Sequence, residues 1–166
     1  GSVEGITEYI PISSTGHMII AEKMLDISDD DFTKVFTVAI QLGAILAVVV
    51  LYWKKFFNFK NWQFYAKIAV GVIPALLLGY LFSDRIDAML ESTLTVAISL
   101  LAGGFILLFI DNVFKNPKIE KEEDVSFLNA IIIGTWQCIA MIPGISRSAA
   151  SIIGGMQQKL TRSAAA

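Results

Sequence analysis

The feature that most constrains this chain is a series of long apolar blocks separated by short charged loops. Four blocks are apolar enough to cross a bilayer, at about residues 35–53, 66–82, 94–110 and 127–142. About 20 helical residues, each adding about 1.5 Å, cross a hydrocarbon core about 30 Å thick. The pattern therefore predicts an all-α, polytopic membrane protein, with residues 1–166 forming a single integral membrane domain.

The charge content agrees with a membrane protein and excludes one class of partner. Charged residues make up 17% of the chain, against about 25% in soluble domains, and the mean hydropathy is +0.64. The net charge is −2 and the isoelectric point is about 5.3. Because nucleic-acid binding needs a basic surface, we expect no nucleic-acid partner.

The loops alternate in charge along the chain. Two loops are acidic, with Asp26, Asp29, Asp30 and Asp31 in the first and Asp84, Asp87 and Glu91 in the second. Two stretches are basic, with Lys54, Lys55, Lys60 and Lys67 in the first and Lys115, Lys118 and Lys121 in the second. Because cytoplasmic loops carry an excess of Lys and Arg, the acidic loops are predicted outside and the basic stretches inside. The stretch 116–124 is predicted to be a charged, solvated linker or an amphipathic elbow.

A first polar motif lies in a semi-polar segment, residues 3–25, which Pro11 interrupts. If the stretch before Pro11 is helical, Glu4 and Glu8 share one face. Two such carboxylates can hold a divalent cation through oxygen ligands or act as bases. In a soluble protein the pair would usually lie on a solvated face, but ionisable groups in an apolar context are costly and tend to be functional.

After Pro11, hydroxyl residues open a second helix. Ser13, Ser14 and Thr15 supply N-cap groups, and a helix start offers free N–H groups for an anion. The nucleophile could be one of these serines, for which we favour Ser14, or an activated water. His17 is the only histidine, and its imidazole could move a proton during phosphate-ester chemistry.

A second polar motif, residues 143–155, follows the last apolar block. Pro143 and Gly144 break the segment, and Arg147 stands between two hydroxyls at a predicted helix start. A guanidinium there could bind phosphate through two parallel hydrogen bonds; the alternative is an interfacial arginine that reaches the headgroups. From the loop charges, both motifs are predicted to approach the outer side.

The two motifs resemble each other weakly. IPISS at residues 10–14 aligns with IPGISR at 142–147 once one residue is inserted. Paired broken helices build sites at membrane depth in inverted-repeat proteins. We therefore predict broken or re-entrant helices in an inverted-topology repeat.

Both motifs together resemble the two signatures of the bacterial undecaprenyl-diphosphate phosphatases, the bacitracin-resistance family. EGITEYIPISSTGH at residues 4–17 is similar to the first signature and PGISRS at 143–148 to the second, while IQLGAI at 40–45 resembles the first long span of the family. Family members continue with further spans, so the resemblance implies that this chain corresponds to their amino-terminal part.

The resemblance implies a bacterial inner-membrane enzyme, and the loop charges predict that its active site faces the outer side. The implied reaction hydrolyses undecaprenyl diphosphate to the monophosphate, which recycles the lipid carrier for cell-wall synthesis, with Mg²⁺ or Ca²⁺ as cofactor. With the motif positions matched, we expect Glu4, Glu8, Ser14, His17 and Arg147 to be catalytic and Glu4 and Glu8 to be the metal ligands; the resemblance does not fix which residue is the nucleophile. The implied substrate-binding residues are Ser13, Thr15, Ser146, Arg147, Ser148 and Ser151, the last of which is more commonly threonine in the family.

Two alternatives remain at this point. A transporter or flippase for an anionic polyprenyl lipid could use the same broken helices and anion site, although binding alone does not require the glutamate pair and His17. The chain could also be a fragment of the phosphatase that folds without activity. The sequence leaves a homodimer open.

Overall fold

The computed structural model describes residues 1–27, 30–57, 62–90, 92–114, 117–121 and 124–166, except for the side chains of Lys55 and Asp111. Several charges of the loop pattern lie outside the described residues, namely Asp29, Lys60, Glu91 and Lys115. The predicted linker at 116–124 is described only at 117–121 and 124.

The described residues form helices joined by turns. The α-helices are α1 (Ser2–Thr7), α2 (Ser14–Met24), α3 (Asp31–Leu51), α4 (Trp53–Phe56), α5 (Trp62–Leu90), α6 (Thr93–Val113), α7 (Phe127–Gln137), α8 (Arg147–Gln157) and α9 (Arg162–Ala165), and a 3-10 helix covers Cys138–Met141. An isolated parallel bridge joins Ile119 to Leu160. The predicted all-α membrane class is confirmed, and the inverted repeat stays a prediction.

Long apolar helices account for the first three predicted spans. α3, α5 and residues Thr93–Ile110 of α6 are long and apolar enough to cross a membrane. The most apolar stretches of α3 and α5 contain no buried residue, and only 11% of the stretch in α6 is buried. Exposure of so much apolar surface is stable when the surroundings are lipid.

The fourth predicted span, 127–142, is a shorter and less regular structure. α7 is followed by the 3-10 helix, and Ile142 is extended at φ −69° and ψ 119°. Pro143 explains this ending, because a proline disfavours helical backbone at the preceding residue. The interruption places the second motif at the end of an apolar segment.

The described chain packs most closely around α5, α7 and α8. α5 and α7 cross where Gly71 and Gly134 bring their backbones together. α8 then carries much of the buried apolar surface, and the buried hydrophobic residues are Met18, Val96, Ile110, Ala149, Ala150, Ile152, Ile153, Met156 and Leu160. The backbone of α5 leaves helical conformation only at Phe82 (φ −118°, ψ 15°) and the helix then continues to Leu90, so the prediction of a loop at Asp84 and Asp87 is wrong. This last part of α5 contributes Ile86 and Leu90 to the site described below.

Candidate active site

The first motif is a helix that ends and then restarts. α1 ends at Thr7, whose hydroxyl donates to the Val3 carbonyl at 2.8 Å. Ser13 then adopts left-handed backbone, with φ at 64°, and its side chain accepts a hydrogen bond from the Gly16 amide at 3.4 Å as the N-cap of α2. Left-handed backbone is uncommon for a residue with a Cβ and is found at functional sites. The break therefore places Ser14 at the first position of α2.

Ser14 and Glu8 form the central polar contact of the first motif. The Ser14 hydroxyl donates to Oε2 of Glu8 across the break. Ser14 is only 9% exposed, and Glu8 is half-buried. A carboxylate that accepts a hydrogen bond from a serine can also accept its proton, which turns the hydroxyl into a nucleophile.

Glu4 lies one helical turn before Glu8 and has an unusual environment for a carboxylate. It is 3% exposed, and neither carboxyl oxygen has a hydrogen-bond partner among the described residues. α1 lies outside the three long apolar helices, and burial raises the pKa of Glu4, an effect strengthened by the negative charge of Glu8. A buried carboxylate without a partner is costly, so this position calls for a cation or a proton.

Glu4 and Glu8 fit a divalent cation, but they supply only part of its ligands. Glu4 and Glu8 supply hard oxygen donors, which suit Mg²⁺ or Ca²⁺. Within the described residues no group of three or more His, Cys, Asp or Glu side chains could hold a metal. A cation at this pair would therefore take its remaining ligands from water or phosphate, as Mg²⁺ commonly does.

The second motif also turns and starts a helix. Gly144 has a φ of +94°, and a Cβ there would meet the Val96 carbonyl and the Ser99 side chain, so glycine suits the position on both counts. The Ser146 hydroxyl caps α8 by accepting from the Ala149 amide at 3.2 Å. α8 therefore begins directly after a turn that only a small, flexible residue can make.

The polar side chains after Gly144 differ in how many of their hydrogen-bonding groups are already used within the protein. The hydroxyl oxygens of Ser146 and Ser148 lie 2.9 Å apart and share one hydrogen bond. Arg147 is exposed and forms no salt bridge with a described carboxylate. Ser151 donates its hydroxyl proton to the Arg147 carbonyl at 3.0 Å, so that proton is used within the helix.

The fold brings the two motifs together, although about 130 residues separate them in sequence. Gly16 of α2 lies against Gly144, whose Cα would be 3.2 Å from a Cβ at Gly16. A cavity of about 590 Å³ opens between the motifs. The predicted site residues that line it are Glu8, Ser13, Ser14, Thr15, Ser146, Arg147, Ser148 and Ser151.

Two predicted site residues do not line this cavity. Glu4 is buried in α1, and His17 borders a neighbouring, mainly apolar cavity of about 530 Å³ that shares Gly144, Ile145 and Ser146 with the first. Nδ1 of His17 lies 2.9 Å from the Ser13 carbonyl. Because a carbonyl only accepts, Nδ1 carries the proton in this contact. The structure thus brings Glu8, and not His17, to the Ser14 hydroxyl.

Gln41 lines the cavity and was not among the predicted site residues. It lies on α3, and its amide donates to the Thr15 hydroxyl at 3.3 Å. The sequence does contain a signal for it, because Gln41 is the only polar side chain from residue 38 to residue 51. A polar side chain within an apolar span tends to face a protein partner or a cavity.

The chain resembles known proteins over its whole length. The family model for "Bacitracin resistance protein BacA" matches residues 1–166. Undecaprenyl-diphosphatase of Flavobacterium psychrophilum is 59% identical over 164 residues, which cover 99% of this chain and 61% of the relative.

Two further relatives carry the same printed name. The undecaprenyl-diphosphatases of Flavobacterium johnsoniae and Bdellovibrio bacteriovorus are 58% and 45% identical, over 99% and 100% of this chain and 62% and 63% of the relatives. The chain thus spans about three fifths of the length of these curated relatives. With two signatures that meet at one cavity and a family match over every residue, the chain belongs to the bacitracin resistance protein BacA family.

Proposed function

We propose that the cavity between the two motifs binds the diphosphate of undecaprenyl diphosphate and that the protein hydrolyses the terminal phosphate. The relatives named above are called undecaprenyl-diphosphatases. The observation that carries the proposal is the Ser14–Glu8 hydrogen bond in a cavity that also holds Arg147. Phosphoryl transfer needs a nucleophile, a proton acceptor and a positive charge, and Ser14, Glu8 and the Arg147 guanidinium supply them at one cavity.

The binding step uses the starts of two helices and one side chain. The amino termini of α2 and α8 both border the cavity, and each carries a serine cap. Their free N–H groups and positive dipole ends attract phosphate oxygens. The guanidinium of Arg147 adds a fixed positive charge that can bind two oxygens at once.

The chemical step begins with proton transfer from Ser14 to Glu8. The freed Ser14 oxygen attacks the terminal phosphorus, and the bond between that phosphorus and the bridging oxygen breaks. The bridging oxygen leaves with undecaprenyl monophosphate, and a phosphoserine remains. Water then attacks the phosphoserine and its atoms leave in inorganic phosphate, while Glu8 returns its proton to the Ser14 oxygen as the bond between that oxygen and phosphorus breaks. Arg147 stabilises the charge on the transferred group.

A divalent cation at Glu4 and Glu8, when bound, would neutralise phosphate charge near Ser14. Glu4 provides the buried carboxylate without a partner, and Glu8 links that position to the cavity. His17 is proposed to act through the backbone, since its Nδ1 contacts the carbonyl of the left-handed residue before Ser14. It is thus assigned as a positioning residue for the nucleophile.

The reaction is proposed to take place at the outer side of the bacterial plasma membrane. Besides the motifs, the cavity is lined by Gln41 near the middle of α3 and by Ile86 and Leu90 near the acidic end of α5. The acidic ends of the spans are the outer ends by the loop charges. An anionic headgroup would enter from that side, while its prenyl chain stays in lipid.

Phosphate release by the purified protein in detergent tests the proposal. We expect release from undecaprenyl diphosphate that EDTA abolishes and that Ser14→Ala lowers by at least about a hundredfold, as loss of a nucleophile does. Ser83→Ala is the matched control, because Ser83 is exposed and does not line the cavity.

A second measurement identifies the nucleophile. Acid quenching during turnover, followed by mass spectrometry, should find phosphate on Ser14. Normal turnover in Ser14→Ala would contradict the covalent step. Lipid movement across vesicles without phosphate release would favour a transporter over a phosphatase.

A further inference from the structure

α3 contributes one polar side chain to the candidate site. Apart from Gln41, residues 38–51 of this helix are apolar or glycine. Gln41 is half-buried, lines the cavity between the motifs, and donates from its amide nitrogen to the Thr15 hydroxyl at 3.3 Å. Polar groups in an apolar span are costly unless they are paired, so the contact with Thr15 explains how Gln41 is tolerated there.

A second contact sets the position of α3 against the first motif. The Tyr9 hydroxyl donates to the carbonyl of Ala44 at 3.3 Å, one helical turn beyond Gln41. Ile45, four residues after Gln41, also lines the cavity. Residues four apart lie on one face of a helix, so this face of α3 forms a wall of the cavity.

The hydroxyl protons in the cavity are unequally available. Ser14 donates to Glu8, Ser151 donates to a backbone carbonyl, and one of the Ser146 and Ser148 hydroxyls donates to the other. Thr15 accepts from Gln41, and Ser13, which also lines the cavity, accepts from the Gly16 amide. A hydroxyl has one proton to donate, and accepting from Gln41 leaves the proton of Thr15 for another acceptor.

We infer that Gln41 is a substrate-binding residue that, with Thr15, forms a two-donor site for a phosphate oxygen of the diphosphate. The amide nitrogen of Gln41 has two N–H groups, of which one is used by Thr15. The second N–H and the Thr15 O–H together offer two donors without adding charge. The inference rests on the proposed function for the identity of the ligand.

The test measures the affinity of the full chain in detergent for a prenyl methylenediphosphonate, in which carbon replaces the bridging oxygen and blocks hydrolysis. Titration calorimetry would compare the parent with Gln41→Leu, Gln41→Glu and Thr15→Val. Gln63→Leu is the matched control, since Gln63 is exposed at the start of α5 and does not line the cavity.

We expect Gln41→Leu and Thr15→Val each to weaken binding about tenfold, as loss of a hydrogen bond to a charged group does. The double variant that combines Gln41→Leu with Thr15→Val should lose about as much affinity as either single variant, because the two groups act together. Gln41→Glu should lose more than Gln41→Leu, because a carboxylate lacks the N–H donors and repels phosphate. Gln63→Leu should bind like the parent.

Thermal unfolding of each variant separates binding from structural support. If Gln41→Leu does not fold, the comparison of Thr15→Val with Thr15→Ser decides, and only the serine variant should retain affinity. The inference is overturned if the affinity of Gln41→Leu or Gln41→Glu for the analogue is within twofold of that of the parent. It is also overturned if the fold-loss of affinity in the double variant equals the product of the two single losses.

Phosphate release measured on the same samples separates this inference from the proposed function. A parent that binds the analogue without releasing phosphate from the diphosphate overturns hydrolysis alone. A parent that releases phosphate while Gln41→Leu binds normally overturns the role of Gln41 alone. A parent that neither binds the analogue nor releases phosphate overturns both.

Discussion

At the scale of single residues, the site depends on polar groups that meet across a break in the helix. Ser14 starts α2, Glu8 follows α1, and the left-handed backbone of Ser13 between them lets the two side chains form a hydrogen bond. His17 contacts the carbonyl of the same Ser13. The backbone conformation of one residue is therefore coupled to the position of the proposed nucleophile.

Replacing the proposed proton acceptor should slow chemistry. In Glu8→Gln, the amide keeps the shape of Glu8 but cannot remove the Ser14 proton, and we expect kcat to fall about 10²–10⁴-fold, the usual contribution of a positioned base. Steady-state phosphate release measures the effect. Glu120→Gln is the control, because Glu120 is exposed and outside the cavity. A kcat within tenfold of the parent would argue against Glu8 as the base.

Replacing the buried carboxylate should remove the response to cations. Glu4 is buried without a described partner, and Glu4→Gln removes its charge while keeping its shape. We expect divalent cations to raise the thermal stability of the parent, by about 2.7 kcal/mol at a hundred times the dissociation constant, and not that of Glu4→Gln. Without cations the variant should be at least as stable as the parent.

Thermal unfolding in detergent, with and without Mg²⁺ or Ca²⁺, tests the cation response. Glu120→Gln again serves as the control and should keep the full response. An equal rise in stability for Glu4→Gln and the parent would show that Glu4 is not a ligand.

At the scale of helices, the site depends on close packing that positions its broken segments. α7 leads to the second motif and crosses α5 where Gly134 lies against the Gly71 backbone. In a membrane, small residues allow such close backbone contact between helices. α8, which starts at the cavity, packs in turn against α7, with the Trp136 indole donating to the Gln157 side chain at 2.6 Å.

A methyl group at the crossing should separate the helices. In Gly134→Ala, the new Cβ would overlap the Gly71 carbonyl, and we expect a loss of about 1–3 kcal/mol of stability, as for other overpacked sites. Gly43→Ala on α3 is the matched control, because its Cβ would meet no atom within 4 Å. That variant should be neutral or gain up to about 1 kcal/mol of helix propensity. Equal thermal stability of the two variants would contradict the role of the crossing.

At the scale of the whole molecule, apolar exposure and loop charge indicate how the chain lies in a membrane. α3 and α5 expose apolar side chains along their lengths. The 21 residues of α3 extend about 31 Å at about 1.5 Å per residue, close to the thickness of the hydrocarbon core. From their charges, the acidic loop before α3 and the basic stretch after α6 are predicted to lie on opposite sides of the membrane.

Cysteine labelling in intact cells should reveal on which side of the membrane each loop lies. Cys138 is the only cysteine, so Cys138→Ser gives a background without a thiol. We expect a membrane-impermeant maleimide to label Asp30→Cys from outside and Lys118→Cys only after the membrane is opened. Both positions are exposed. The reverse pattern would invert the orientation and place the cavity toward the cytoplasm.

Much of this organisation follows from local sequence. The apolar blocks predicted the long helices, because only a continuous apolar surface is stable in lipid. Pro11 and Pro143 marked the breaks, because a proline lacks the N–H of the helical backbone and disfavours helical backbone at the residue before it, whereas Pro74 is accommodated inside α5. The two motifs also predicted the family, which the match over residues 1–166 confirms.

Only the tertiary structure decided which of these residues share a cavity. It places Glu8 at the Ser14 hydroxyl, turns His17 toward a neighbouring apolar cavity, and brings Gln41 from α3 to Thr15. Sequence spacing predicts the face of one helix, because the helical period is constant. Contacts between helices depend instead on places where backbones far apart in sequence come into contact. Two such places are the crossing at Gly71 and Gly134 and the turn at Gly144.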